Sequence, residues 1–241
     1  MKKTVFVSVL FVVLIASQAF GTTINFGDTS YYWPGWLSSD TSDNTKDTIG
    51  TPNFLGGTAE ITNGFLTNLT FQVKAKDYLN LWNLLLPSDL FIDKDANGTW
   101  DYVVDLLTKN SAGNLISGTA KLYAINQPLG GSGYIMSSMP GYGYRNDHPI
   151  GFEGGVEFGT VTFSGWPAKP LNLDTVVEAY FNFGAQDILL GSSFIIGWTV
   201  QCANDVVYER IDVPVPEPAT MLLLGSGLIG LAGFARRKYK K

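Results

Sequence analysis

Asp93-Lys94-Asp95-Ala96-Asn97-Gly98-Thr99-Trp100-Asp101 sets oxygen-bearing side chains at alternate positions, in the order D-x-D-x-N-G. Ligands so spaced converge on one hard cation, and a glycine at the sixth position allows the sharp turn that gathers them. In such a loop Thr99 offers its backbone carbonyl, and Asp101 binds directly or through water. The twelfth position, where an EF-hand needs a bidentate glutamate, holds Val104, and Asp105 follows one residue late. The flanks "LFI" and "WDYVVDLL" read as strands rather than helices. The stretch is therefore expected at a hairpin tip. Its candidate ligands for Ca2+ are Asp93, Asp95, Asn97, Thr99, Asp101 and Asp105, with an affinity of ~10⁻⁴–10⁻³ M. The alternative is that "DANG" is turn chemistry alone.

Other reactive side chains form no comparable pattern. The single histidine, His148 in "RNDHPIGFE", excludes a multi-histidine zinc site. No G-x-S-x-G accompanies it, so it is read as part of a surface polar cluster with Arg145 and Asp147. Glu153 and Glu157 flank "GGV", but no spacing rule marks them as a glycosidase pair. "GSGLIG" at 225–230 matches a dinucleotide-binding glycine pattern without the acidic residue that should follow about 20 positions later. Tyr31, Tyr32, Trp33 and Trp36, and Tyr134, Tyr142 and Tyr144, fall in polar or glycine-rich stretches. Exposed there, they would stack on sugar rings; the alternative is ordinary packing. The chain reads as a non-enzyme.

The elements that must carry these residues are strands. In "LTFQVKA", Leu69, Phe71, Val73 and Ala75 share one face, and in "VVEAYFNF" Val177, Ala179, Phe181 and Phe183 do. "SFIIGWTVQC" aligns Phe194, Ile196, Trp198, Val200 and Cys202, so the lone cysteine is expected in the core. Further strands are expected at 58–62, 90–92, 100–106, 118–125, 149–153, 156–164 and 206–211, with a hairpin turn at Asn204-Asp205. "AKDYLNLWNLLLP" (75–87) is the one candidate for a helical turn, and the glycine-rich 128–144 reads as a long surface loop. Many short strands parted by Gly, Asn, Asp and Pro predict an all-β domain, an antiparallel β-sandwich of jelly-roll type.

Residues 1–19 read as a signal peptide: Lys2 and Lys3, an apolar run, then Ser17 and Ala19 before the cut. The body, 20–213, holds nine Lys or Arg against twenty Asp or Glu, a net charge of −11. Such a charge argues against nucleic-acid binding. At the far end, Ala219–Ala235 is an uncharged run that would span roughly 25 Å as a helix, slightly less than a ~30 Å bilayer core. The basic residues after it form a positive-inside stop, which predicts one transmembrane helix at about 219–235 with a cytoplasmic tail at 236–241. Pro214, Pro216 and Pro218 keep the preceding segment extended.

Pro216-Glu217-Pro218, Ala219-Thr220, the glycine-bearing apolar run and Arg236-Arg237-Lys238 together resemble the PEP-CTERM sorting tag, over residues 214–241. The tag is also catalogued as the C-terminal domain of ice-binding proteins, a label that implies no ice binding here. The resemblance implies export in a Gram-negative bacterium and processing by an exosortase near Pro216-Glu217-Pro218. It also implies a setting of exopolysaccharide and biofilm production. Cys202-Ala203-Asn204-Asp205 before Val206-Val207 resembles a closing hairpin that precedes the tag in many such proteins. The tag is an address, so it carries localisation and not activity. The expectation is a protein held at the inner membrane by its C-terminal helix, then passed to the cell surface or matrix in a structural or adhesive role. The alternatives are a calcium-assisted carbohydrate-binding module and a polysaccharide-directed enzyme.

Overall fold

The computed structural model describes residues 21–36, 47–48, 52–75, 86–107, 115–137, 148–166, 175–184, 186–214 and 226–227. The leader, residues 76–85 of the helical-turn candidate at 75–87, Arg145 and Asp147, and Pro216, Glu217, Pro218, Arg236 and Arg237 of the tag lie outside the described residues. Among those described, no helix is long and apolar enough to cross a membrane.

Alternating sequence becomes strand almost throughout. The strands are β1 (Gly21–Phe26), β2 (Asn53–Thr62), β3 (Phe65–Ala75), β4 (Leu90–Asp93), β5 (Thr99–Asp105) and β6 (Gly118–Pro128). They continue with β7 (Tyr134–Met136), β8 (Pro149–Phe152), β9 (Val156–Ser164), β10 (Thr175–Asn182), β11 (Ser193–Thr199) and β12 (Val206–Asp212). Ten form one sheet in the order β1-β2-β3-β10-β9-β6-β5-β4-β11-β12, and β7 and β8 form a separate pair. Every ladder is antiparallel.

The all-β, antiparallel expectation holds, but the two facing sheets of a jelly roll are replaced by one sheet rolled on itself. It curls until β1 and β2 come against β12, an almost closed barrel. Alternation says which side chains point inward; it does not say whether the inner faces belong to two sheets or to one. Two segments had no strand signal. β1 is an edge strand whose residues are all half-buried or exposed, and β7 lies inside the glycine-rich stretch.

Trp198 of β11 stands at the centre of the roll. Its ring packs within 4.5–6.2 Å of Phe54, Phe71, Phe163, Trp166 and Phe181, which come from β2, β3, β9, β10 and the residues just after β9. Its indole N–H, which burial would otherwise strand, donates to the Ser88 carbonyl at 2.9 Å. Cys202 is buried in the same core, as its phase predicts, and burial pushes its thiol up to about 11.

A second, smaller core lies on the outer face of β4, β5, β11 and β12. There Trp33, Phe91, Trp100, Val103, Ile195 and Val206 meet Ile150 and Phe152 of β8. Strands β4 and β11 are therefore buried on both faces, and neither "LFID" nor "SFIIGWT" presents an exposed side. Gly197 in β11 makes room for the two tryptophans, since a Cβ there would lie 2.8 Å from Trp100 and 2.9 Å from Trp33. Gly197→Ala is expected to destabilise the protein by about 1–3 kcal/mol through overpacking, read as a lower midpoint in urea.

Candidate functional site

The D-x-D-x-N-G stretch forms the β4–β5 turn, as expected. Ala96 and Gly98 adopt left-handed φ angles of 55° and 86°, which fold the loop back over Asp93. The buried Asp93 carboxylate accepts three backbone N–H groups, from Asp95 (3.3 Å), Asn97 (3.1 Å) and Gly98 (2.8 Å). Asn97 Oδ1 accepts the Thr99 N–H at 2.9 Å. Desolvation raises the Asp93 pKa, while the three N–H bonds oppose it.

Asp93, Asp95 and Asp101 each bring one oxygen within 4.8 Å of the others. That convergence suits a hard cation in part. Asp93 is engaged by the turn, and the Lys94 ammonium binds Asp101 at 2.6 Å, where it supplies the positive charge itself. A cation would share or displace that ammonium. Asp105 takes no part; it lies at the opposite end of β5, against Lys121 of β6 in register and beside Asp89.

At that opposite end is a second arrangement with little sequence signal beyond the Asn204-Asp205 turn. The chain turns at Cys202–Asp205 with Ala203 left-handed at φ 47°. Asp205, fully buried, accepts the Phe54 N–H at 2.6 Å and its neighbour's N–H, from Val206, at 2.9 Å. Asn204 donates to the Pro52 carbonyl at 2.9 Å, and Trp33 Nε1 donates to the Val207 carbonyl at 2.9 Å. The turn thus clasps β12 to the start of β2. Asp28 and Asp47 bring oxygens within 4.8 Å of Asp205, making a second carboxylate cluster assembled from three distant stretches.

Asp89, also fully buried, accepts N–H bonds from Leu106 (2.8 Å), Leu107 (2.9 Å) and Phe152 (3.1 Å), and so ties β8 to the main sheet. His148 is buried with its ring edge-on to Trp33, centroids 5.0 Å apart, which corrects the surface reading: tertiary packing overrides its polar neighbours. Glu157 is exposed and paired with Lys121 at 2.8 Å. Of the aromatics considered for sugars, Trp33 is wholly buried, whereas Tyr31 and Tyr32 stay exposed.

The clearest functional signal is linear. A rolled β body leads straight from β12 into a sorting segment: residues 214–238 match the family model of the PEP-CTERM protein-sorting motif. That match takes in Pro216, Glu217, Pro218, Arg236 and Arg237, and it implies export, membrane-associated sorting and an exosortase as the general partner. The chain matches no curated protein and no solved structure.

Burial, with Asp105 alongside, raises Asp89 from 3.8 to about 7 against the lowering pull of its three N–H donors. The folded state therefore holds the Asp89 proton where the unfolded chain has released it. This contribution is complete below about pH 4 and is lost as pH rises through about 7. The urea midpoint is expected to fall across that window, and the Asp89-dependent part of the slope should vanish in Asp89→Asn.

Proposed function

We propose that this chain is an exported envelope or extracellular-matrix protein, sorted by an exosortase, with a structural or adhesive role and no catalytic activity. The observation that carries the reading is the sorting motif at 214–238. The body supports it in three ways. Its sheet is nearly closed, with β12 clasped to β2, which leaves few edges to aggregate outside the cell. Its charge is acidic, which favours solubility and disfavours nucleic acid. Its one histidine is buried with its ring edge-on to Trp33. A setting of exopolysaccharide or biofilm, with polysaccharide as a partner and the inner membrane as a temporary anchor, follows from the resemblance of the tag.

The test follows the tag. The intact chain is expected to lose its C-terminal segment and to reach the cell surface or medium in a strain with the exosortase. Replacing Pro216, Glu217 and Pro218 with alanine should leave it full-length in the membrane fraction. Identical processing and location of both forms would overturn the reading.

A second reading rests on the convergence of Asp93, Asp95 and Asp101: a cation stiffens the β4–β5 hairpin. Calcium at about ten times its Kd should then stabilise the protein by about 1.4 kcal/mol, a rise in Tm of roughly 3–6 °C. Asp95→Ala should abolish the rise. An unchanged Tm at millimolar calcium leaves the loop as a turn.

A further inference from the structure

The outer face of β1, β2, β3 and β10 carries a groove whose free hydrogen-bonding groups are those that recognise sugar hydroxyls. Register sets Asn25 beside Thr58, Thr58 beside Thr70 and Thr70 beside Tyr180, a polar row across four strands. A neighbouring row is already satisfied, since Asn68 donates to Glu60 at 2.6 Å. The first is not: among the described residues, no protein group hydrogen-bonds to the side chains of Asn25, Thr58 or Thr70.

At the groove, β2 slips register against β3 between Phe54 and Gly57. Gly56 sits at φ +92°, and a Cβ on Gly57 would run into the Thr70 carbonyl and lie 2.8 Å from the Phe26 ring. Beside this slip lies a cavity of about 240 Å³ lined by Asn25, Leu55, Thr58, Thr70, Gln72 and Glu178, with Phe26 and Gly57 also in its wall. Glu178 is held from two sides. Gln72 Nε2 donates to one oxygen at 3.4 Å, and the Tyr180 hydroxyl donates to the other. An ionised carboxylate has about four acceptor sites, so acceptors remain for a ligand.

We propose that this groove binds one ring of a neutral polysaccharide. Hydroxyls donate and accept at once, and the lining offers both kinds of partner in an amide pair, two hydroxyls and a carboxylate. Leu55, 43% exposed, gives an apolar wall for the C–H face of a sugar. Among the described residues, the only charge in the lining is that of Glu178, which disfavours anionic sugars. The volume lies just below the ~300–1,000 Å³ of enclosed ligand pockets, a fit for one ring with the rest of the glycan along the sheet. The inference rests on the matrix reading only for where the glycan is met. Sorting and sugar binding are measured separately, so either fails without the other.

The full chain in detergent micelles is tested against neutral cello-, xylo- and manno-oligosaccharides, with oligogalacturonate as the charged comparison. Saturation-transfer NMR and titration are expected to show millimolar or tighter binding of at least one neutral probe. Glu178→Gln should weaken it at least tenfold and Gln72→Ala several-fold, while Asp212→Asn, on β12 and outside the groove lining, leaves it unchanged. Should Glu178→Gln fail to fold, Gln72→Ala decides. Binding of oligogalacturonate alone, no binding of any neutral probe at millimolar concentration, or affinity insensitive to both groove variants overturns the proposal.

Discussion

A ten-stranded sheet that rolls up must still do something with its two edges, and here side chains do what a backbone ladder does in a closed barrel. Among the described residues, the outer edge of β12 forms no ladder with another strand. Trp33 Nε1 takes the Val207 carbonyl, Ser30 takes that of Tyr208, and Asp205 reaches across to the Phe54 N–H. Each bond satisfies a backbone group that would otherwise sit buried or open to pairing with another chain. Because Asp205 and Asn204 are wholly buried, these bonds form away from competing water, where they count for most.

The interior depends on that closure. Trp198 reaches Phe54, Phe71 and Phe181 only because β11, near one edge, is folded over toward β2, β3 and β10 near the other. The second core has the same dependence. The segment that supplies Trp33 to Phe91 and Trp100 is the one that caps β12, so inner packing and outer cover are fixed by one stretch of chain. Asp89 extends the arrangement to the small β7–β8 pair through the Phe152 N–H.

Features that repeat along the chain were legible in its sequence. "LTFQVKA", "VVEAYFNF" and "SFIIGWTVQC" each became strands with the expected faces inward, and D-x-D-x-N-G became a turn around Asp93. Features created by register were not. Asp28, Asp47 and Asp205 share a corner only once the sheet has rolled, and Asp105 is parted from the β4–β5 turn because β5 runs straight away from it. Trp33 and His148 sit among polar neighbours in sequence and among aromatic ones in space. The groove beside Glu178 lies at a slip in pairing that two adjacent glycines hint at without locating its partners. The sorting motif was legible for the opposite reason: its signal is a short run of neighbouring residues, which the sequence carries by itself.

The chain leaves the body beside the β4–β5 turn. Val213 N–H bonds to the Ser192 carbonyl, and the connection before Ser192 bonds both to the Lys94 carbonyl and to the Gly64 turn, all at one end of the roll. Whatever draws on the chain beyond Val213 therefore pulls along β12. Seven residues of β12 are paired with β11 from Val206 to Asp212, and β11 is in turn wedged between β12 and β4. Tension along the strand strains those rungs together in shear; it does not peel them one by one. The exit strand is thus arranged to resist extraction, a mechanical property that neither its hydrophobicity nor its charge would reveal.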